Sequence, residues 1–116
     1  PATVAAIRAA LEGIQEEPEH IAKLHANAGR LRHGLQSLGL RVPNGASPIV
    51  PVIVGEAERA VRVSERLLAE GIYIPAIRPP TVPAGSARLR ATVTALHTEA
   101  QIERAIEAIR QAVSDA

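Results

Sequence analysis

Apolar residues recur at three- and four-residue steps through the first third of the chain, which predicts an amphipathic helical segment. Pro18 lies inside this stripe, and an internal proline removes a backbone hydrogen bond, so we expect a break at residues 15 to 18 with Pro18 opening a second helix. Gly39 is expected to end that helix. The stripe consists of Val4, Ile7, Leu11, Ile14, Ile21, Leu24, Ala28, Leu31, Leu35 and Leu38.

Three later segments have the composition of strands. Residues 48 to 54 are rich in β-branched side chains, and Pro51 places this strand at a sheet edge or a bulge because proline cannot donate to a ladder. Residues 72 to 77 form a second, short strand. Residues 88 to 95 alternate between apolar and polar positions, which predicts a half-buried strand with one polar face. The polar positions are Arg88, Arg90, Thr92 and Thr94.

Two further helices are predicted. Residues 56 to 70 form the first, ended by Gly71, and Thr98 to Gln101 have the capping-box form that opens the second. Their expected inner faces are Ala57, Val61, Ser64 and Leu67 or Leu68 in the first, and Ile102, Ile106, Ile109 and Val113 in the second.

The resulting order, α-α-β-α-β-β-α, predicts an α+β fold with helices packed on one face of a small, mainly antiparallel sheet. We expect a single domain over residues 1–116. It would comprise a helical segment over 1–39, broken near Pro18, and a small sandwich over 48–116. The chain starts at Pro1 with a segment that is already helical in pattern, so we expect a fragment of a longer protein, with N-terminal trimming as the alternative.

Composition narrows the class of protein. Hydrophobic residues make up 47% and charged residues 22%, as in soluble globular domains, and Tyr73 is the only aromatic residue. The core must therefore use Ala, Val, Ile and Leu. The net charge of +1, without a long basic run, argues against a nucleic-acid partner. With no membrane-length apolar run and no signal peptide, we expect a cytoplasmic protein without a membrane partner. The absence of Cys excludes disulfides and thiolate metal sites but leaves the redox compartment undecided. The histidines do not have the i, i+4 spacing of a helical zinc site, so no metal site is expected.

The candidate chemistry lies near the Pro-rich loop. Arg78 ends one predicted strand and Arg90 lies on the next, so the two guanidinium groups and the Thr81 hydroxyl could converge to bind a carboxylate or phosphate. The alternative is that these arginines are solvated surface residues, and spacing alone favours that alternative. His97 is expected to contact the start of the last helix. Lys23, the only lysine, lies in a helix and does not suggest a Schiff base.

The segment from Ile74 to Arg90, containing Arg-Pro-Pro-Thr-Val-Pro, closely resembles the C-terminal signature of the 8-amino-7-oxononanoate synthases, a branch of the α-oxoamine synthases. The resemblance continues through Thr92 to Thr98 and includes the Pro-Ile-Val-Pro-Val-Ile-Val-Gly strand. It is tight over residues 48 to 98 and looser over 1 to 45. Leu96 departs from it, because the family usually has a small residue there.

The resemblance implies a fold-type I pyridoxal-phosphate transferase that condenses L-alanine with a pimeloyl thioester, of coenzyme A or a carrier protein, and releases carbon dioxide in biotin synthesis. It implies an upstream large domain with the cofactor lysine, and a homodimer. Arg90 would hold the amino-acid carboxylate, Arg78 would orient an intermediate carboxylate, and Thr81 would contact substrate. No catalytic and no cofactor-binding residue is expected in this chain, which should be inactive and bind no pyridoxal phosphate alone.

Three alternatives stay open at this point. One is another α-oxoamine synthase, similar to glycine C-acetyltransferase. The second is a non-catalytic binding module whose arginine face docks an acidic partner. The third is a coiled-coil-like dimerisation unit built on residues 3 to 38.

Overall fold

The computed structural model describes residues 18–116, which form three helices and a three-stranded sheet. The first predicted helix and most of the predicted break before Pro18 lie outside the described residues. In chain order the elements are α1 (Pro18–Ser37), β1 (Ile49–Gly55), α2 (Ala57–Ala69), β2 (Ala76–Ile77), β3 (Ala87–Thr92) and α3 (Glu99–Asp115).

The sheet has the order β1-β3-β2, and both pairings are antiparallel. The predicted α+β class is confirmed, and β1 is an edge strand of the described sheet, as Pro51 predicts. Pro51 lies opposite Arg90. Val93 N donates to Pro48 O at 2.9 Å, and alternate residues of an antiparallel strand direct their backbone groups to opposite sides. The position of the missing Pro51 N–H therefore faces away from β3, and the ladder loses no hydrogen bond.

The strand predicted over residues 72 to 77 is wrong in length, because only Ala76 and Ile77 pair with β3. Pro75 has no N–H to donate, although its carbonyl still accepts from Arg90 N at 2.9 Å. Because Pro75 faces β3, the carbonyl of Ile74 faces away from it, and this carbonyl accepts from the Ser64 hydroxyl at 2.6 Å. The ladder thus loses a bond at Pro75, and residues 72–74 pair with no described strand. The prediction of 88 to 95 for β3 is likewise too long at its end.

The core lies between the sheet and the helices. Helix α2 packs across all three strands, α1 packs on β1, and α3 packs against α1 and α2. The buried hydrophobic residues of the described range are Ala, Val, Leu and Ile, as the composition predicts. The largest side chains with essentially no exposed surface are Leu35, Leu67, Leu89 and Ile109.

The predicted inner face of α2 is largely wrong. The buried residues are Ala60, Val63 and Leu67, whereas Leu68 is 57% exposed. The helix carries two neighbouring apolar stripes, and periodicity alone cannot say which of them the sheet covers. The predicted residues that are only half-buried are Ala57, Val61 and Ser64.

The other two helices follow their predicted stripes more closely. In α1, Ala28, Leu31 and Leu35 are buried, but Ile21 and Leu38 near its ends are exposed. In α3, the three predicted isoleucines are buried, and Ala112 is buried in place of Val113, which is half-buried at the margin of the core.

Helix ends follow the predicted chemistry. Gly39 and Gly71 both have a φ of 82°, a left-handed conformation that glycine adopts without a Cβ clash. Around Gly39, Leu40 N donates to Leu35 O at 3.2 Å and Gly39 N donates to Gln36 O at 3.0 Å, which is the Schellman pattern. The same pair of bonds surrounds Gly71. Thr98 caps α3 through a complete capping box with Gln101.

Helices α2 and α3 bind the carboxyl ends of each other. Arg59, in the first turn of α2, donates to Val113 O in the last turn of α3 at 2.8 Å. Arg104 of α3 donates to Glu70 O, just past the end of α2, at 2.7 Å. Because the last carbonyls of a helix lack intrahelical donors, each arginine satisfies an acceptor that the partner helix cannot satisfy itself.

Within residues 18–116, no helix is long and apolar enough to cross a bilayer.

Candidate functional site

The face of the sheet away from the helices combines arginine, threonine and apolar side chains. Pairing places Arg90 opposite Pro51, and Arg88 opposite Ile53. Directly opposed residues share a face in an antiparallel pair. Along β3 the other positions, Ala87, Leu89 and Ala91, are buried in the core, so the predicted alternation is confirmed. The arginines therefore stand on a partly apolar surface rather than on a purely polar one.

Arg90 is exposed on this face, and its guanidinium makes no hydrogen bond or ion pair with any described residue. Arg88 differs, because its Nε donates to Ser86 O at 3.1 Å and its side chain is half-buried. Of these two neighbouring arginines, Arg90 is the one whose planar fork is available to a carboxylate or phosphate ligand.

A turn at the end of β2 brings Arg78 and Thr81 together. Thr81 N donates to Arg78 O at 3.1 Å, with the cis Pro79–Pro80 peptide between them. Both residues are exposed, and neither side chain is bound by a described residue.

Arg90 and the turn that carries Arg78 and Thr81 lie at different positions along the β2–β3 pair. Arg90 N binds Pro75 O, and Arg78 follows three residues after Pro75, so the two arginines are offset by about 10 Å along the strands. The structure thus pairs Arg78 with Thr81 and places Arg90 on an adjoining surface.

A buried asparagine that the sequence did not single out fixes the loop after β3. Asn27 of α1 is 4% exposed, and its Nδ2 donates to Thr94 O at 3.0 Å and to His97 O at 2.9 Å. His97 does not contact the helix start as expected. Its Nδ1 accepts from Thr94 N at 3.0 Å and so closes the turn itself. In the sequence Asn27 is only a polar residue directly before Ala28 of the apolar stripe, a position that does not reveal its partner.

Arg32 is also buried, at 4% exposed, and was likewise missed. Its Nη2 donates to Ser47 O at 3.1 Å and to Ile49 O at 3.2 Å, which attaches α1 to the start of β1. Its Nε has no partner among the described residues. Because it binds two backbone carbonyls at the start of β1, we interpret Arg32 as a residue that holds β1 in place.

Metal and lysine chemistry find no support in residues 18–116. No group of three potential metal-ligating side chains occurs there. Lys23 is exposed on α1, whereas Arg78, Thr81 and Arg90 belong to the sheet and its loop.

Comparison with known proteins assigns the family. The model of the aminotransferase class I and II family matches residues 1–109. The chain belongs to this family. Among curated family relatives, the 8-amino-7-oxononanoate synthase of Thioalkalivibrio sulfidiphilus is 49% identical over 110 residues, covering 94% of this chain and 28% of that protein. The chain thus spans less than a third of the length of such relatives.

Two solved family structures have the same fold. The 8-amino-7-oxononanoate synthase of Francisella tularensis is 25% identical with a TM-score of 0.78, covering 90% of this chain and 30% of that one. The serine palmitoyltransferase of Sphingomonas wittichii is 31% identical with a TM-score of 0.79, covering 84% of this chain and 25% of that one. Both comparisons support the resemblance found in the sequence. Leu96, which departs from it, is 81% exposed and so alters no packing within the described residues.

Proposed function

We propose that this chain is the substrate-closing C-terminal domain of a pyridoxal-phosphate-dependent acyltransferase. The whole protein would condense L-alanine with a pimeloyl thioester, of coenzyme A or a carrier protein, to 8-amino-7-oxononanoate with loss of carbon dioxide. Similarity to curated synthases of that name supports the reaction. The observation that carries the proposal is the exposed Arg90 guanidinium, which no described residue binds, in the part of the chain that resembles this family most tightly.

Each proposed ligand residue has a physical role. Arg90 binds the carboxylate of the amino acid through its two-pronged face. Arg78 orients the carboxylate of the condensed β-keto acid, since loss of carbon dioxide requires the breaking bond to be held in one direction. Thr81, next to it on the turn, contacts substrate. The proline pair between Arg78 and Thr81 restricts the free loop and lowers the entropy lost when it closes on a ligand.

The described residues fit the substrate side of such a site and not the cofactor side. The one lysine of the chain, Lys23, is exposed on α1, whereas Arg78, Thr81 and Arg90 belong to the sheet and its loop. In this proposal the cofactor is held by the rest of the protein, which also contributes the homodimer contacts. Pyridoxal phosphate supplies an electron sink when bound, and this chain supplies carboxylate recognition and orientation.

Substitution of Arg90 in the full-length protein tests the carboxylate role. Arg90→Ala should weaken L-alanine binding by roughly 30- to 1000-fold, because a charge-assisted contact worth about 2 to 4 kcal/mol is lost. Arg90→Lys should recover little of it, since an ammonium group cannot reproduce the fork. Titration of the cofactor absorbance with L-alanine measures this affinity, and cofactor content should stay normal.

Arg62→Ala is the matched control, because Arg62 is an exposed arginine on the outer side of α2. It should leave L-alanine affinity unchanged. An Arg90→Ala protein with full L-alanine affinity would assign the carboxylate to another residue.

A second candidate reaction is that of another α-oxoamine synthase, favoured by the structural likeness to serine palmitoyltransferase. Rates with matched substrate pairs separate the two. L-Alanine with a pimeloyl thioester should be the best pair. Faster turnover with L-serine and a palmitoyl thioester, or with glycine and acetyl-coenzyme A, would move the protein to a sister branch.

A further inference from the structure

A cavity of about 250 Å³ opens beside Thr92 of β3, at a point of the strand that lies beyond the short β2. It exists because residues 72–74 turn away from β3 before Pro75. Val93 N binds Pro48 O on the β1 side, so the backbone N–H and C=O of Thr92 point to the opposite side, into this gap. No described segment pairs with them there. The cavity therefore contains an unpaired piece of strand edge.

The walls and the mouth of this cavity differ in character. The floor is apolar and is formed by side chains of α1, β3 and α3, among them Leu31, Ala91, Ile102 and Ala105. The polar side chains at the mouth include His97, Gln101 and Arg104, and no Asp or Glu is among the described residues that line the cavity. An apolar floor with a positively charged mouth favours a ligand with a short hydrocarbon body and one anionic end.

The three polar side chains named at the mouth each offer a hydrogen-bond donor. His97 Nδ1 accepts from Thr94 N, so neutral His97 carries its proton on Nε2, which no described residue binds. Gln101 Oε1 accepts from Thr98 N at 2.9 Å, which leaves its amide nitrogen to donate. Arg104 uses one Nη2–H for Glu70 O and retains its other donors. These donors match the oxygens of a carboxylate.

We propose that this cavity binds a small aliphatic monocarboxylate. At about 250 Å³ the cavity is smaller than the ~300 to 1,000 Å³ typical of sites for drug-sized ligands, which favours a short acid. The carboxylate meets Arg104 and the Nε2–H of His97, and the hydrocarbon chain covers Ile102 and Ala105. The inference goes beyond the proposed function and does not depend on it, because binding is measured without turnover.

The test uses the full 116-residue chain, labelled with ¹⁵N and titrated with sodium hexanoate. Saturable shifts are expected at the Thr92 amide and the His97 ring, because these groups line the site. Hexanamide, which has the same length and no charge, should bind roughly tenfold more weakly because its hydrogen bonds are not charge-assisted. Equal affinity for the two compounds, or no saturation at about 10 mM hexanoate, would overturn the proposal.

Three variants locate the site. Arg104→Gln should weaken hexanoate binding by roughly tenfold, while Arg62→Gln, an exposed arginine of α2, should leave it unchanged. Because Arg104 also binds the end of α2, Ala105→Leu provides an independent test: it fills the cavity from the floor and keeps every donor. Ala105→Leu should abolish the shifts at Thr92. Undiminished hexanoate binding by the Ala105→Leu protein would place the ligand elsewhere and refute the assignment.

Discussion

Asn27 provides the most direct test of how the loop after β3 is held. It is 4% exposed, and its amide nitrogen donates to the carbonyl oxygens of Thr94 and His97. In Asn27→Ala, Thr94 O keeps a bond of 3.3 Å from His97 N, but His97 O loses the donor described for it. Each lost bond costs about 1 kcal/mol, and a buried carbonyl without a donor costs more. The higher helix propensity of alanine offsets roughly 0.5 kcal/mol of this loss in the free energy of unfolding.

The expected net loss for Asn27→Ala is therefore about 2 kcal/mol in the free energy of unfolding. For a domain of 116 residues it corresponds to a fall in Tm of about 8 °C. Urea unfolding followed by far-UV circular dichroism measures the free energy, and the slope with urea should not change, because the surface buried by the fold is the same.

Asn27→Asp distinguishes lost donors from a general disturbance of packing. The introduced carboxylate has nearly the same shape but presents an acceptor to two carbonyl oxygens in a buried position. Burial and these dipoles raise the folded-state pKa of the new carboxyl above its unfolded value of about 3.9. The folded state then binds more protons, so the stability of this variant falls as pH rises through that interval. The reasoning is refuted if Asn27→Ala stays within about 0.5 kcal/mol of the parent, or if Asn27→Asp has the pH dependence of Asn27→Ala.

Two other substitutions test the core and an exposed ion pair. Leu67→Ala should lower the free energy of unfolding by about 2 to 5 kcal/mol, because Leu67 is fully buried. Leu68 is 57% exposed, so Leu68→Ala should change it by no more than about 0.5 kcal/mol. Equal losses in urea unfolding would contradict the assigned face of α2. The hydrogen bond from Arg110, aided by its charge, lowers the pKa of Glu107 below the ordinary 4.5. The contribution of this pair to stability is therefore complete above pH 4.5 and is lost as pH falls through the lowered pKa. NMR titration of the Glu107 carboxyl should show the lowered pKa, and Arg110→Gln should return it towards 4.5.

The sequence predicts those parts of the fold that depend on local chemistry. Strict alternation in β3 identifies the open face. Thr98 begins α3 and Gly39 ends α1, each through bonds within a few residues. The inner face of α2 is different, because apolar residues occupy two neighbouring stripes and the position of the sheet selects Val63 and Leu67. Likewise, β2 is shorter than its composition predicts, because Pro75 has no N–H to donate to β3.

The candidate site divides in the same way. The residue types and the motif single out Arg78, Thr81 and Arg90, but their spatial relation depends on the register of β2 against β3. That register starts at Ala76 rather than at residue 72 and offsets Arg90 from the turn. Asn27 and Arg32 could not be assigned from periodicity, because a polar residue beside an apolar stripe has a partner only once the remote backbone is in place.

Arg59 of α2 and Arg104 of α3 each bind a carbonyl at the end of the other helix, and this has a consequence for local opening. Fraying of the last turn of either helix releases a carbonyl, Val113 O or Glu70 O, that an arginine of the other helix binds. Neither end can therefore open without removing a contact from its neighbour. The two helices should behave as one cooperative unit in native-state hydrogen exchange, with similar opening free energies at both carboxyl ends. Arg59→Gln should accordingly speed amide exchange in the last turn of α3. It should also speed exchange at the carboxyl end of α2, far along the helix from the substituted residue.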